Sequence, residues 1–144
     1  LRQNIFKGAS AEYRAASYYL DRGEIVYWPA VPLETDFIVE RKSGILEKIQ
    51  VKYTSWTKVT NSNCEKLHCR TYGWNGGRTA SDAGPQYDYL FVISEDDRYW
   101  EIPADKLPKH AIGLDTRGGA YTHNGTNARK WDKYLVSVNE KEHQ

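Results

Sequence analysis

An acid, an amide and a lysine stand close together in one stretch of the chain: Asp36, Gln50 and Lys52. A carboxylate oxygen and a side-chain amide carbonyl can both ligate a hard cation such as magnesium, which takes oxygen ligands and keeps waters. A lysine ammonium beside such an ion can orient or deprotonate a water and stabilise charge developing on a phosphate. Whether the three can act together depends on the elements that carry them.

Asp36-Phe37-Ile38-Val39-Glu40 and Ile45-Leu46-Glu47-Lys48-Ile49-Gln50-Val51-Lys52-Tyr53 read as two strands. A loop of Lys42, Ser43 and Gly44 joins them and fits the three-residue hairpin that ends in a left-handed glycine. In that register Arg41 faces Ile45 and Asp36 faces Gln50, with Cβ atoms roughly 5 Å apart. Lys52 follows on the same face two residues on, while Ile49, Val51 and Tyr53 point the other way, into a core. By themselves such residues would make a solvated polar face, so a further residue is needed to argue for a site.

Glu12 supplies it. A helix is expected from about Ile5 to Arg22, ended by Gly23. Placing residues at 100° intervals gathers Ile5, Phe6, Ala9, Tyr13, Ala15, Ala16, Tyr19 and Leu20 in one arc, with Glu12 the single charged residue within it. A carboxylate on a core-facing stripe costs several kcal/mol unless it is paired or bound to a metal.

The remaining elements are read more coarsely. Glu24 to Trp28 is β-prone and stops at Pro29. Ser55 to Pro85 reads as loop-rich, with a short strand around Leu67 to Thr71 and a Gly73-Trp74-Asn75-Gly76-Gly77 segment that cannot be helical. Tyr87 to Ile93 and Arg98 to Ile102 form a second hairpin, and a helix is expected from about Thr126 to Leu135.

At 144 residues the chain is expected to form a single domain, residues 1–144, that folds without disulfides or a structural metal. No apolar run approaches the ~20 residues of a membrane span, and no secretory or lipidation signal is visible, so the expectation is an intracellular protein of the cytoplasm or nucleoid. Cys64 and Cys69 flank His68 but match no standard zinc spacing, and reduced, partly buried thiols are expected. Net charge is only +1, yet it is blocked. Lys52 to Ser81 carries five basic residues against Glu65, Lys106 to Lys133 six against two acids, and Asp82 to Asp105 seven acids against Arg98. Such blocks suit a basic binding face and an acidic back.

With Glu12, Asp36, Gln50 and Lys52 assembled, the chain resembles the PD-(D/E)XK nuclease superfamily. Among its members it looks most like the small homing endonucleases of group I introns, and next like archaeal-type Holliday junction resolvases. The resemblance is good over Phe6 to Tyr53, moderate over Tyr87 to Ile102, and absent elsewhere. It implies an α/β fold with a mixed β-sheet flanked by helices. Glu12 would be the helix glutamate, Asp36 the motif aspartate, Gln50 the Asp/Glu position and Lys52 the motif lysine, with Glu12, Asp36 and Gln50 holding magnesium, or manganese as a substitute. Thr35 stands where the motif has proline, and Gln50 replaces an acid, which removes a negative charge from the metal site. A helix that commonly follows the lysine strand in the superfamily is not readable from Ser55 onward.

The implied activity is magnesium-dependent hydrolysis of DNA phosphodiester bonds leaving a 5′-phosphate. Lys58, Trp74, Asn75, Arg78, Arg117, Arg129 and Lys130 are candidates for contacts to double-stranded DNA. Double-strand cleavage needs two sites related by a twofold axis, so a homo-oligomer, dimer or tetramer, is expected. Competing readings are a junction resolvase, a non-catalytic DNA-binding module on the same fold, and a small RNA-binding protein that stacks bases on its aromatic residues.

Overall fold

The computed structural model describes residues 2–72, 84–118 and 129–137, and the backbone of 74–75 and 78–79. It opens with α1 (Arg2–Asp21). The helix closes through a Schellman motif in which Glu24 N–H reaches the Tyr19 carbonyl (3.1 Å) and Gly23 N–H the Leu20 carbonyl (3.0 Å). Gly23 takes the left-handed conformation this demands, φ 77°.

Strands follow: β1 (Ile25–Tyr27), β2 (Phe37–Glu40), β3 (Leu46–Thr54), β4 (Thr57–Lys58), β5 (Glu65–Arg70), β6 (Trp74–Asn75), β7 (Arg78–Thr79), β8 (Tyr89–Ser94), β9 (Tyr99–Pro103), β10 (Ala111–Arg117) and β11 (Leu135–Val136). Six of them form a mixed sheet in the order β1-β2-β3-β8-β9-β11, in which only β3 and β8 run parallel. A smaller antiparallel sheet has the order β10-β5-β4, and β6 pairs with β7.

The β2–β3 hairpin has the expected register, with Phe37 opposite Ile49 and Glu40 opposite Leu46. Gly44 closes its turn at φ 88°, and Gly44 N–H donates to the Arg41 carbonyl (2.8 Å). Arg41 then clamps that end of the sheet. Its guanidinium meets Glu47 (2.7 Å), Glu101 (3.1 Å) and Glu24 (3.4 Å), and lies near the rings of Tyr19 and Tyr89.

Two cores result. Alternation along β3 sends Ile49 and Val51 to the α1 face, where they pack with Ala11, Ala15, Tyr19, Phe37 and Phe91. The other face of the large sheet offers Leu90, Val92, Trp100 and Ile102 to Leu67, Ile112 and Leu114 of the small sheet. Full burial of side chains this large is worth about 1.5–3 kcal/mol each.

Three expectations need correction. The sheet is not flanked by helices on both faces: among the described residues α1 is the one α-helix, and the small sheet covers the opposite face. No helix spans Thr126–Leu135 as expected. Asp132–Tyr134 is a single 3-10 turn, and Leu135 already belongs to β11, opposite Trp100; residues 126–128 lie outside the described residues. A stretch this short cannot nucleate a helix unaided, whereas pairing with β9 satisfies its backbone. Thirdly, α1 buries Ala11, Ala15, Ala16, Tyr18 and Tyr19, while Ile5, Phe6, Tyr13 and Leu20 stay exposed. Small side chains let the helix lie close on the sheet, so the buried stripe is turned away from the largest apolar residues.

Candidate active site

The site is built where β2 ends before β3 does. β2 pairs with Leu46 to Ile49 only, so among the described residues the β3 edge from Gln50 onward has no strand on that side. Asp36 fills the gap. Its own N–H donates to the Ile49 carbonyl (2.9 Å), and its carboxylate Oδ2 accepts the Val51 N–H (2.7 Å) as a missing strand carbonyl would. Immediately before it, Thr35 is buried and its hydroxyl donates to the Gln86 carbonyl (3.1 Å), tying the start of β2 to the approach to β8. That hydroxyl is a use for threonine that a proline could not serve.

Glu12 comes down from α1, half-buried beside Ala11 and Ala16. It hydrogen-bonds Asp36, which favours a proton on the Asp36 carboxyl. Burial and then the Glu12 bond push the Asp36 carboxyl up to about 7, against the opposing pull of the Val51 N–H and of Lys52.

Gln50 and Lys52 follow along β3, both half-buried. Gln50 Oε1 is a buried acceptor that no donor among the described residues reaches. Among those residues no carboxylate comes within ion-pair distance of Lys52. The Glu12 and Asp36 carboxyls and the orphaned Gln50 amide oxygen are oxygen donors of the kind a hard divalent cation takes. No group of three or more His, Cys, Asp and Glu side chains that could hold a metal occurs among the described residues. The set relies on the amide oxygen. Of the thiols, Cys64 donates to the Gly118 carbonyl, and burial pushes the Cys69 thiol up to about 12 against the opposing pull of Lys52.

The residues expected to meet DNA are in different states. Lys58 is exposed on β4 and lines a cleft of about 380 Å³ with Asn61, Ser62 and Asn63. Arg117 is paired with Glu65 (3.1 Å) and lies over the Trp56 ring, and Arg129 is paired with Asp132 (2.6 Å). Their charge is already answered within the chain. Lys130 is exposed and lies 5.0 Å from the Trp131 ring centroid. Trp74, Asn75 and Arg78 fall on β6 and β7, Asn75 opposite Arg78, but their side chains lie outside the described residues.

Sequence reasoning missed a second cleft that adjoins the site. It has a volume of about 380 Å³ and is lined by Asn4, Lys7 and Gly8 of α1 and by Val51, Lys52, Tyr53 and Ser55. Asn4, Lys7 and Gly8 recur at i, i+3 and i+4, a spacing that places them on one helix face and could have flagged it.

No protein-family model matches the chain, and no curated protein matches it in sequence. Among solved structures it is similar to a bacterial homing endonuclease, I-Ssp6803I, with a TM-score of 0.64 and 19% identity, over 91% of this chain and 87% of that one. The chain therefore has the fold of that nuclease structure.

Proposed function

We propose that this protein is a magnesium-dependent DNA endonuclease of the PD-(D/E)XK type, a homing endonuclease that hydrolyses phosphodiester bonds of double-stranded DNA. One observation carries the reading: on a fold similar to that of a homing endonuclease, Glu12 meets Asp36 at the open edge of β3, the strand that also carries the orphaned Gln50 oxygen and Lys52. A bound magnesium ion would supply charge to polarise the phosphoryl group and to acidify a water. Asp36 and Glu12 would hold it as carboxylates. Gln50 contributes an oxygen without charge. Lys52, with no carboxylate against it, is left to orient the attacking water and to stabilise the negative charge that grows on the phosphate.

A second copy is part of the proposal, because cutting both strands of a site requires two such centres related by a twofold axis. The test is nicking of supercoiled plasmid with magnesium, with manganese, and with chelator. Metal-dependent conversion to the open form is expected in the wild type, and its loss in Asp36→Asn. Duplex binding without cleavage under any metal would instead leave a non-catalytic DNA-binding module on this fold, while cleavage of branched DNA alone would favour a junction resolvase.

A further inference from the structure

The cleft beside Lys52 has a composition the catalytic set does not explain. Its lining includes no acid: Lys7, Lys52, Asn4 and Ser55 all offer donors. By contrast, a cleft of about 420 Å³ formed by residues of β3, β8, β9 and their connections includes Glu47, Asp88 and Asp105. Lys7, like Lys52, has no carboxylate within ion-pair distance among the described residues, whereas Arg14, Arg41, Arg98, Arg117 and Arg129 are each paired with one. The Lys7 ammonium lies 5.7 Å from the Tyr53 ring centroid, on the wall of the cleft.

Gly8 is the independent observation. It sits inside α1, where glycine is the poorest helix former after proline. Its conformation does not require glycine, and a Cβ built there meets nothing within 4 Å. Nothing in the chain's own packing asks for the missing side chain. What the absence does is keep the α1 side of this cleft open, as close approach of a ligand requires.

The geometry points to a seat for a backbone phosphate of the cut DNA strand, next to the scissile one, held by Lys7 with Asn4 and Ser55. This rests on the nuclease reading of the neighbouring site. Gly8 precedes Glu12 by four residues, which at 1.5 Å per residue is about 6 Å along the helix axis. Nucleotides in a duplex advance about 3.4 Å along its axis, so the cleft stands one or two nucleotides from the reacting phosphate. A strand leaving Lys52 would run along the first turns of α1.

The experiment measures binding of a 30-base-pair mixed-sequence duplex across a range of salt, in chelator, together with metal-dependent plasmid nicking. Lys7→Gln should lower the slope of log K against log salt by about 0.9, the signature of one lost phosphate contact, and weaken binding alike for unrelated sequences. Gly8→Leu should fold with an equal or higher Tm, since leucine is the better helix former, yet bind the duplex more weakly. If the wild type binds and nicks DNA while both variants show its affinity and salt slope, the phosphate seat is overturned and the nuclease reading stands. If the wild type neither binds nor cuts, the nuclease reading falls and the seat falls with it.

Discussion

Glu12 on α1 and Asp36 at the start of β2 share a hydrogen bond although both are acids, and Asp36 simultaneously accepts the Val51 N–H at the open edge of β3. Such a pair can stay together without a metal only while it keeps a proton. The carboxyl of Asp36, raised by burial and by Glu12 to about 7, binds its proton more tightly folded than unfolded, where an aspartate titrates near 4. Its contribution to stability is therefore full at low pH and is lost as pH rises through about 4 to about 7. Melting in chelator should show Tm falling over that interval relative to Asp36→Asn, which lacks the titration. Parallel Tm curves for the two proteins would remove Asp36 as the source.

Gln50→Glu adds a third carboxyl to the proposed metal site. In chelator this variant should be less stable than wild type at pH 8, because like charges are crowded in a partly buried place. With magnesium it should bind the ion more tightly, on the order of tenfold, because ligand charge sets affinity for hard cations. Calorimetry giving the wild-type affinity would exclude Gln50 from the metal's ligands.

Lys52→Ala should depress the single-turnover cleavage rate by at least about a hundredfold, the scale of a positioned acid–base or charge-stabilising group. Affinity for duplex should fall far less, since one phosphate contact is a small part of the total. An equal loss in binding and in rate would make Lys52 a docking residue only.

Thr35→Val keeps the shape of a buried side chain and removes the hydroxyl that donates to the Gln86 carbonyl. Leaving that carbonyl without its donor should cost about 1–3 kcal/mol by urea denaturation. Because Thr35 directly precedes Asp36, the magnesium concentration for half-maximal cleavage should rise as well. A stability loss without any change in metal requirement would confine Thr35 to the fold.

Legibility in the sequence followed how strongly the local chemistry constrained the chain. The β2–β3 register could be read because Gly44 and the alternation of Ile49, Val51 and Tyr53 both fix it, and a one-residue slip would have buried Lys48 and Lys52. Glu12 could be noticed as the one charge in the expected apolar arc, although Ile5, Phe6, Tyr13 and Leu20 of that arc are exposed. The buried face of α1 could not, since the sequence pattern weights Phe6 and Leu20 above Ala11, while close packing on the sheet prefers the alanine. The small sheet was obscure for a related reason. In β5 only Leu67 and Cys69 are buried, β4 is two residues long, and their partner β10 lies far along the chain. The cleft at Lys7 brings two turns of helix against the end of a strand: the spacing of Asn4, Lys7 and Gly8 marks the helix face, but not that Lys52 and Ser55 meet it.

The exposed side of α1 leads to the final prediction. Ile5, Phe6, Tyr13 and Leu20 lie on one flank, the tilted rings of Tyr13 and Trp28 have centroids 5.4 Å apart, and Val31 and Leu33 are exposed as well. All the large hydrophobic residues that stand exposed among the described ones fall between Ile5 and Leu46. Large apolar residues left exposed in such number mark an association site. The second copy required for double-strand cutting should therefore meet this flank. Light scattering at micromolar concentration should give at least twice the 16.6 kDa of one chain, and Tyr13→Lys with Trp28→Glu should return the monomer mass. The monomeric variant should still nick one strand while losing double-strand cleavage. A wild type that stays monomeric with and without duplex would overturn the paired arrangement and leave a nicking enzyme.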